Sequence, residues 1–116
     1  MMITFTKEEF FQETGDNLDT LLNADKDSKH AQRYIDFICR EIDKHIRKYN
    51  PRIFRRGYEE LSDFQINTIK EACIQHGLNI YNTGHTFIDE NGLPKRIPIA
   101  ENVKDILRPI MYRGGI

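Results

Sequence analysis

The chain has 116 residues, 39% of them hydrophobic and 30% charged, with a formal net charge of −1. That length suits one domain with a modest core. Seven glycines and four prolines exclude a fibrous or low-complexity chain, and no apolar run approaches the roughly 20 residues that cross a bilayer.

The start, MMITFTKEEFF, lacks the basic segment and apolar stretch of a secretory signal. We therefore expect a protein made in the cytosol, with no membrane partner. Thr6 followed by Glu9 is the reciprocal capping pattern of a helix start. With Phe10 and Phe11 as apolar anchors and Gly15 as a left-handed stop, it predicts a helix over 7–14. From Asp16 to Asp27 the chain is acidic, with Leu18, Leu21 and Leu22, which reads as a pinned loop or one more helical turn.

The central expectation is a long helix over 28–49. It contains neither Gly nor Pro, and Ala31, Tyr34, Ile35, Ile38, Ile42, Ile46 and Tyr49 recur at steps of three and four. That spacing makes one apolar stripe, on which the rest of the chain is expected to pack. Asp27 or Ser28 would cap it, and Asn50-Pro51 would end it, because the residue before proline is pushed out of helical geometry. Lys44, Arg47 and Lys48 suit the negative end of the helix dipole.

PRIFRRGYEEL reads as a connector, with Ile53, Phe54, Tyr58 and Leu61 tucked under the helices and a turn at Gly57. Ser62 and Gln65 form a second capping box, opening a helix over 63–83. Its face runs through Ile66, Ile69, Cys73, Gly77 and Ile80, widened by Phe64, Ala72 and Tyr81, and Gly84 ends it. Gly77 weakens a free helix by about 1 kcal/mol relative to Ala; its use would be to let a neighbouring helix come close. Two long helices joined by a dozen residues suggest an antiparallel pair.

The stretch 86–98 holds two short apolar pieces around Asn91-Gly92, a small hairpin made ragged by Pro94 and Pro98, or a mobile loop. A short helix over 99–107 follows, closed off by Pro109, and then a tail, PIMYRGGI, that has no core of its own. The expected fold is an all-α bundle on two long helices, with a helical domain at 1–108 and a C-terminal tail at 109–116.

Charge is unevenly spread. Residues 1–27 hold two lysines against seven acids, a net of −5, and residues 40–56 hold seven bases against two acids, a net of +5. Such poles fit a second copy, another partner or nucleic acid. The basic group Lys44, Arg47, Lys48, Arg52, Arg55 and Arg56 is a solvated helix end, a contact for an acidic surface, or a patch for DNA phosphates without base reading. The long linker does not fit the tight turn of a helix-turn-helix. Along the long helix, Asp36 and Arg40 and then Asp43 and Arg47 stand at favourable i,i+4 spacing.

No phosphate-binding, dinucleotide or nucleophile-elbow motif is present. Cys39 and Cys73 fall inside helices and read as free buried thiols. His30, His45, His76 and His85 lack metal-ligand spacing. His45 beside Arg47 and Lys48 is the one arrangement that could be imagined at a phosphodiester, but no carboxylate set for a metal accompanies it. We expect no catalysis, no metal and no cofactor.

Taken together, the opening ITFTKEEF, the helix IKEACIQHGLNIYNTG, the run IPIAENVKDIL and the end PIMYRGGI resemble the head–tail connector (adaptor, or head completion) proteins of tailed bacteriophages. The resemblance covers most of residues 3–116; loop 85–98, with its two prolines, departs from the pattern. It implies a virion structural protein at the head–tail junction, made in the host cytoplasm. Such a protein forms a ring, usually twelve-fold, under the portal protein. The ring extends the DNA channel and gives a platform for a stopper or tail-completion protein. The resemblance carries over Ile110, Met111, Tyr112, Arg113, Gly114, Gly115 and Ile116 as a segment docking on the portal or a neighbouring subunit, and the loop at Asn91-Gly92 less directly. The basic group 44–56 would face a partner or passing DNA. The alternatives are a small helical DNA-binding or regulatory protein using that same group, and a toxin-like nuclease built on His45.

Overall fold

A computed structural model describes residues 2–23, 29–54, 57, 60–82 and 97–111. These form a small all-α bundle: α1 (Lys7–Thr14), α2 (Leu18–Leu21), α3 (His30–Tyr49), a 3₁₀ turn (Pro51–Phe54), α4 (Asp63–Asn82) and α5 (Glu101–Met111). Among the described residues there is no strand. The hairpin expected at 86–98 lies almost wholly outside them; Ile97 and Pro98, its last residues, belong to no strand.

Local signals set the helix ends. Thr6 Oγ1 accepts from the Glu9 N–H at 3.0 Å and Glu9 Oε1 accepts from the Thr6 N–H at 3.0 Å, and Gly15 closes α1 in the left-handed region. Ser62 and Gln65 repeat the box at α4, at 2.9 and 3.1 Å. Asn17 caps α2 through the Thr20 N–H, so the acidic stretch contributes one helical turn. Helix α3 begins at His30 behind Lys29, which makes no side-chain cap; the caps expected at Asp27 and Ser28 lie outside the described residues. It ends at Tyr49, before Asn50-Pro51, as the sequence predicts.

The register of contacts gives the topology. Tyr34 meets Gly77 and Cys39 meets Cys73, so residue numbers fall on α4 as they rise on α3, and the pair is antiparallel. Asn79 pairs with Asn102, and the start of α4 shares a groove with Pro109 and Ile110, so α5 runs antiparallel to α4. Glu41 reaches Ile97, and Asn50 reaches Ile110 and Met111, so α5 is parallel to α3.

The helix on which the others assemble is α4, not α3. It packs against α3, α5 and α1, and it buries Thr68, Ile69, Ala72, Cys73, Ile74, His76, Gly77 and Ile80. A helix covered on several sides reads as apolar nearly all round, whereas α3, with one face in water, shows the cleaner stripe. The α3 stripe is buried from Ala31 to Ile46 and includes Phe37, which lies beside Ile38. Tyr49 is 58% exposed, because it falls past Ile46 at the helix end and packs on His45 with ring centres 4.9 Å apart. Phe11 and Phe64 are exposed too. Phe11 is about 100° further round α1 than Phe10, which here carries it past the edge of the narrow face that α1 buries. Phe10 is on that face, stacked on Phe5 at 6.1 Å.

The expected Asp36–Arg40 pair is replaced by a hydrogen bond from Gln32 to Asp36 at 2.9 Å, whereas Arg47 and Asp43 do pair, at 2.7 Å. Lys70 to Glu9, at 2.8 Å, ties α1 to α4.

Gly77 sits where α3 and α4 come closest. A Cβ added there would fall 2.6 Å from Ile38 Cδ1, and the Tyr34 hydroxyl donates to the Gly77 carbonyl at 2.6 Å. Ile38 is fully buried, so its tip has little room to move. Gly77→Ala gains about 1 kcal/mol of helix propensity and loses about 1–3 kcal/mol to overpacking. We expect a net loss of up to ~2 kcal/mol in chemical denaturation. In an Ile38→Val background, which removes Cδ1, the loss shrinks or reverses. Equal effects in both backgrounds would show that the contact is not the cause.

Two boundaries are corrected at the C-terminal end. Helix α5 does not stop before Pro109 but continues through it to Met111. Proline removes one helical N–H, but Pro109 is on the exposed side, where water can take the freed Asp105 carbonyl. Burial of Ile110 (2% exposed) and Met111 (7%) holds the last turn on the core. The Asn50 amide donates to the carbonyls of Ile110 and Met111 at 3.3 and 3.1 Å, satisfying two acceptors at a helix end. A domain boundary at 108/109 therefore cuts through α5.

Candidate interaction surfaces

The C-terminal docking segment divides at residue 111. Ile110 and Met111 belong to the core cluster with Val103 and Leu107, and are withdrawn as docking residues. Tyr112, Arg113, Gly114, Gly115 and Ile116 lie outside the described residues. So does the loop around Asn91-Gly92.

The basic group is built on the last turns of α3 and the 3₁₀ turn. Lys44, Arg47, Lys48 and Arg52 are all exposed. They are not equivalent. The Arg47 guanidinium is held by Asp43 and lies over the Phe54 ring, 4.7 Å from its centre, and that combination fixes its direction. The Lys48 ammonium lies 5.2 Å from the Tyr49 ring centre. Lys44 and Arg52 project from the helix end and the turn with no ion pair among the described residues. Arg55 and Arg56 fall outside the described residues. His45 is half-buried; burial first, and then Lys104 and Lys48, press its pKa below the ordinary imidazole value. It is therefore neutral at pH 7 and adds no charge to this end. The surface combines an exposed tyrosine, a stacked neutral histidine and several cations.

A second surface lies on α1 and α2. A shallow groove of about 830 Å³ runs between them, with Glu8, Phe11 and Gln12 on one wall and Asp19 and Thr20 on the other. Lys7 closes onto Asp19 at 2.9 Å. Glu8, Glu13 and Asp16 are exposed and make no ion pair among the described residues. Glu9 is already used: burial pushes its pKa up, but the Lys70 ammonium and the Thr6 contacts outweigh that and leave it lowered. This side is acidic around one exposed phenylalanine. Sequence reasoning offered Phe11 with Phe10 as an apolar anchor of α1; the structure buries Phe10 and leaves Phe11 in water.

Cys39 and Cys73 are free, buried and in contact, and burial together with the Cys39 neighbour pushes the Cys73 thiol well up, so it stays protonated and unreactive. Among the described residues no group of three or more His, Cys, Asp or Glu side chains is placed to hold a metal ion. No helix among them is long and apolar enough to cross a membrane.

His76 was not singled out by sequence and is the most unusual residue of the interior. It is 1% exposed on α4, and neither ring nitrogen has a hydrogen-bond partner among the described residues. Burial, with His45 nearby, lowers its pKa to about 4. Comparison with protein-family models, with curated proteins and with solved structures finds no match.

Proposed function

We propose that the chain is a structural subunit of a tailed-phage head–tail connector ring. In this reading it docks under the portal, extends the DNA channel and offers the platform for stopper or tail-completion proteins, without catalysis. The observation that carries it is an order of phrases on helices. ITFTKEEF leads into the capped α1 and IKEACIQHGLNIYN lies in the central α4. ENVKDIL opens α5, which ends at Met111, directly ahead of YRGGI in the sequence.

The test is binding of the full chain, and of a chain ending at Met111, to the portal ring encoded beside it. The cut belongs after Met111 because Ile110 and Met111 are core residues. Full-length binding that weakens at least tenfold in the shortened chain is the expected result; no binding by either form removes the proposal.

A second reading rests on the basic, aromatic end of α3. Lys44, Lys48 and Arg52 beside the exposed Tyr49 would contact nucleic-acid phosphates without sequence reading. It predicts duplex affinity that drops steeply as salt rises, and absence of binding at low salt removes it.

A further inference from the structure

The two charged surfaces share a plan. Each centres on one exposed aromatic ring, Phe11 at 53% exposure on α1 and Tyr49 at 58% at the end of α3. Exposed charge of one sign accompanies each ring: Glu8 lines the groove with Phe11, and Asp16 follows the end of α1, whereas the Lys48 ammonium lies against Tyr49, and Lys44 is one turn before Lys48; Lys7, also in the groove, is already paired with Asp19. Interfaces that work in water are built this way, with an aromatic anchor inside a charged rim. The signs are opposite, and the regional net charges, −5 and +5, match in magnitude. Each surface is therefore complementary to the other and repelled by its own kind.

We propose that the acidic groove between α1 and α2 of one copy receives the α3 end of a second copy, with Tyr49 against Phe11 and Lys44 and Lys48 against Glu8 and Asp16. This deepens the ring reading above by naming the surfaces that would join neighbours. Because two different patches meet, the contact is heterologous, and repetition of it gives a ring or an open chain rather than a two-fold dimer. The same complementarity favours a second copy over nucleic acid as the occupant of the basic end. Duplex DNA would satisfy Lys44 and Lys48 but would leave Phe11 and its carboxylates without a partner.

The experiment is sedimentation velocity on the full chain over a wide concentration range, at 50 mM and 500 mM salt, with two charge-reversed variants. One is Glu8→Lys/Asp16→Lys; the other is Lys44→Glu/Lys48→Glu. All four positions are exposed, and circular dichroism confirms that each variant is folded. The wild type should associate at low salt and dissociate at high salt, since exposed charge contacts are screened. Each variant alone should associate at least tenfold more weakly. Mixed one to one, the variants should reassociate, because each then presents a surface of the sign the other needs. Phe11→Ala should weaken association at 50 mM salt.

A wild type that stays monomeric at low salt overturns the proposal, as do variants that associate as well as the wild type or a mixture that fails to recover. Binding of duplex in place of self-association assigns the basic end to nucleic acid and overturns it too. Failure of the connector reading looks different: self-association through these surfaces persists while the portal ring is not bound.

Discussion

Ile110→Ala will lower the stability of the fold by about 2–5 kcal/mol, the range for truncating a large buried aliphatic side chain. Ile110 is 2% exposed, and it lies one turn beyond Leu107 and two beyond Val103, both fully buried, on the face that α5 turns to the core. The loss should appear as a lower urea midpoint with an unchanged slope. Arg108→Ala, an exposed site in an i,i+3 pair with Asp105, serves as the control and should stay within about 0.5 kcal/mol. If Ile110→Ala behaved like Arg108→Ala, the last turn of α5 would not be docked, and the segment from Pro109 onward would again be a tail. The same reasoning bears on truncation: a chain cut after Arg108 loses Ile110, Met111 and the two carbonyls that Asn50 holds. Its loss of binding to any partner would report unfolding rather than a missing docking element.

Mild acid should destabilise the protein through His76. The imidazole is buried with no hydrogen-bond partner among the described residues and is held neutral, with a pKa of about 4 in the fold against about 6.5 in the unfolded chain. Between those values the unfolded chain binds the proton and the folded chain does not, so stability rises with pH across that window. It is fully present above about pH 6.5, is lost progressively below it, and levels off below about pH 4. Between pH 7.5 and 4.5 the loss from this one group is about 2–3 kcal/mol. Denaturant titrations at a series of pH values measure it directly. His76→Leu removes the titrating group and should flatten the curve through that window. An unchanged slope would place the acid sensitivity elsewhere, with half-buried His45, whose pKa is also lowered, as the next residue to replace.

Helix positions were legible because their signals are local. A capping box, a left-handed glycine or an Asn-Pro step acts within four residues, and α1, the C-terminal end of α3 and the start of α4 followed such signals. The Gly77 contact was legible as well, since a glycine inside an otherwise regular helix asks for a neighbour. What failed depended on which side of a helix faces solvent. Pro109 read as a stop because sequence cannot show that its missing hydrogen bond is on the wet side of α5. Phe11 read as an anchor, and Phe64 and Tyr49 as core, because apolarity does not reveal a helix end or a flank. His76 was invisible for the complementary reason: a polar residue among apolar ones is taken to face outward, but α4 has little outside left. Of the candidate surfaces, sequence showed the opposing charge blocks but not the aromatic ring at the centre of each.

Asn50 ties two helix ends together. Its backbone ends α3, and its side chain holds the last carbonyls of a helix sixty residues further along. The chain therefore departs from Met111 beside the same corner that carries Lys48, Tyr49 and Arg52. A shift of α3's final turn would carry with it the amide that holds the end of α5. The end of α3 and the end of α5, sixty residues apart in the chain, are thus one corner of the body, held by a single side chain.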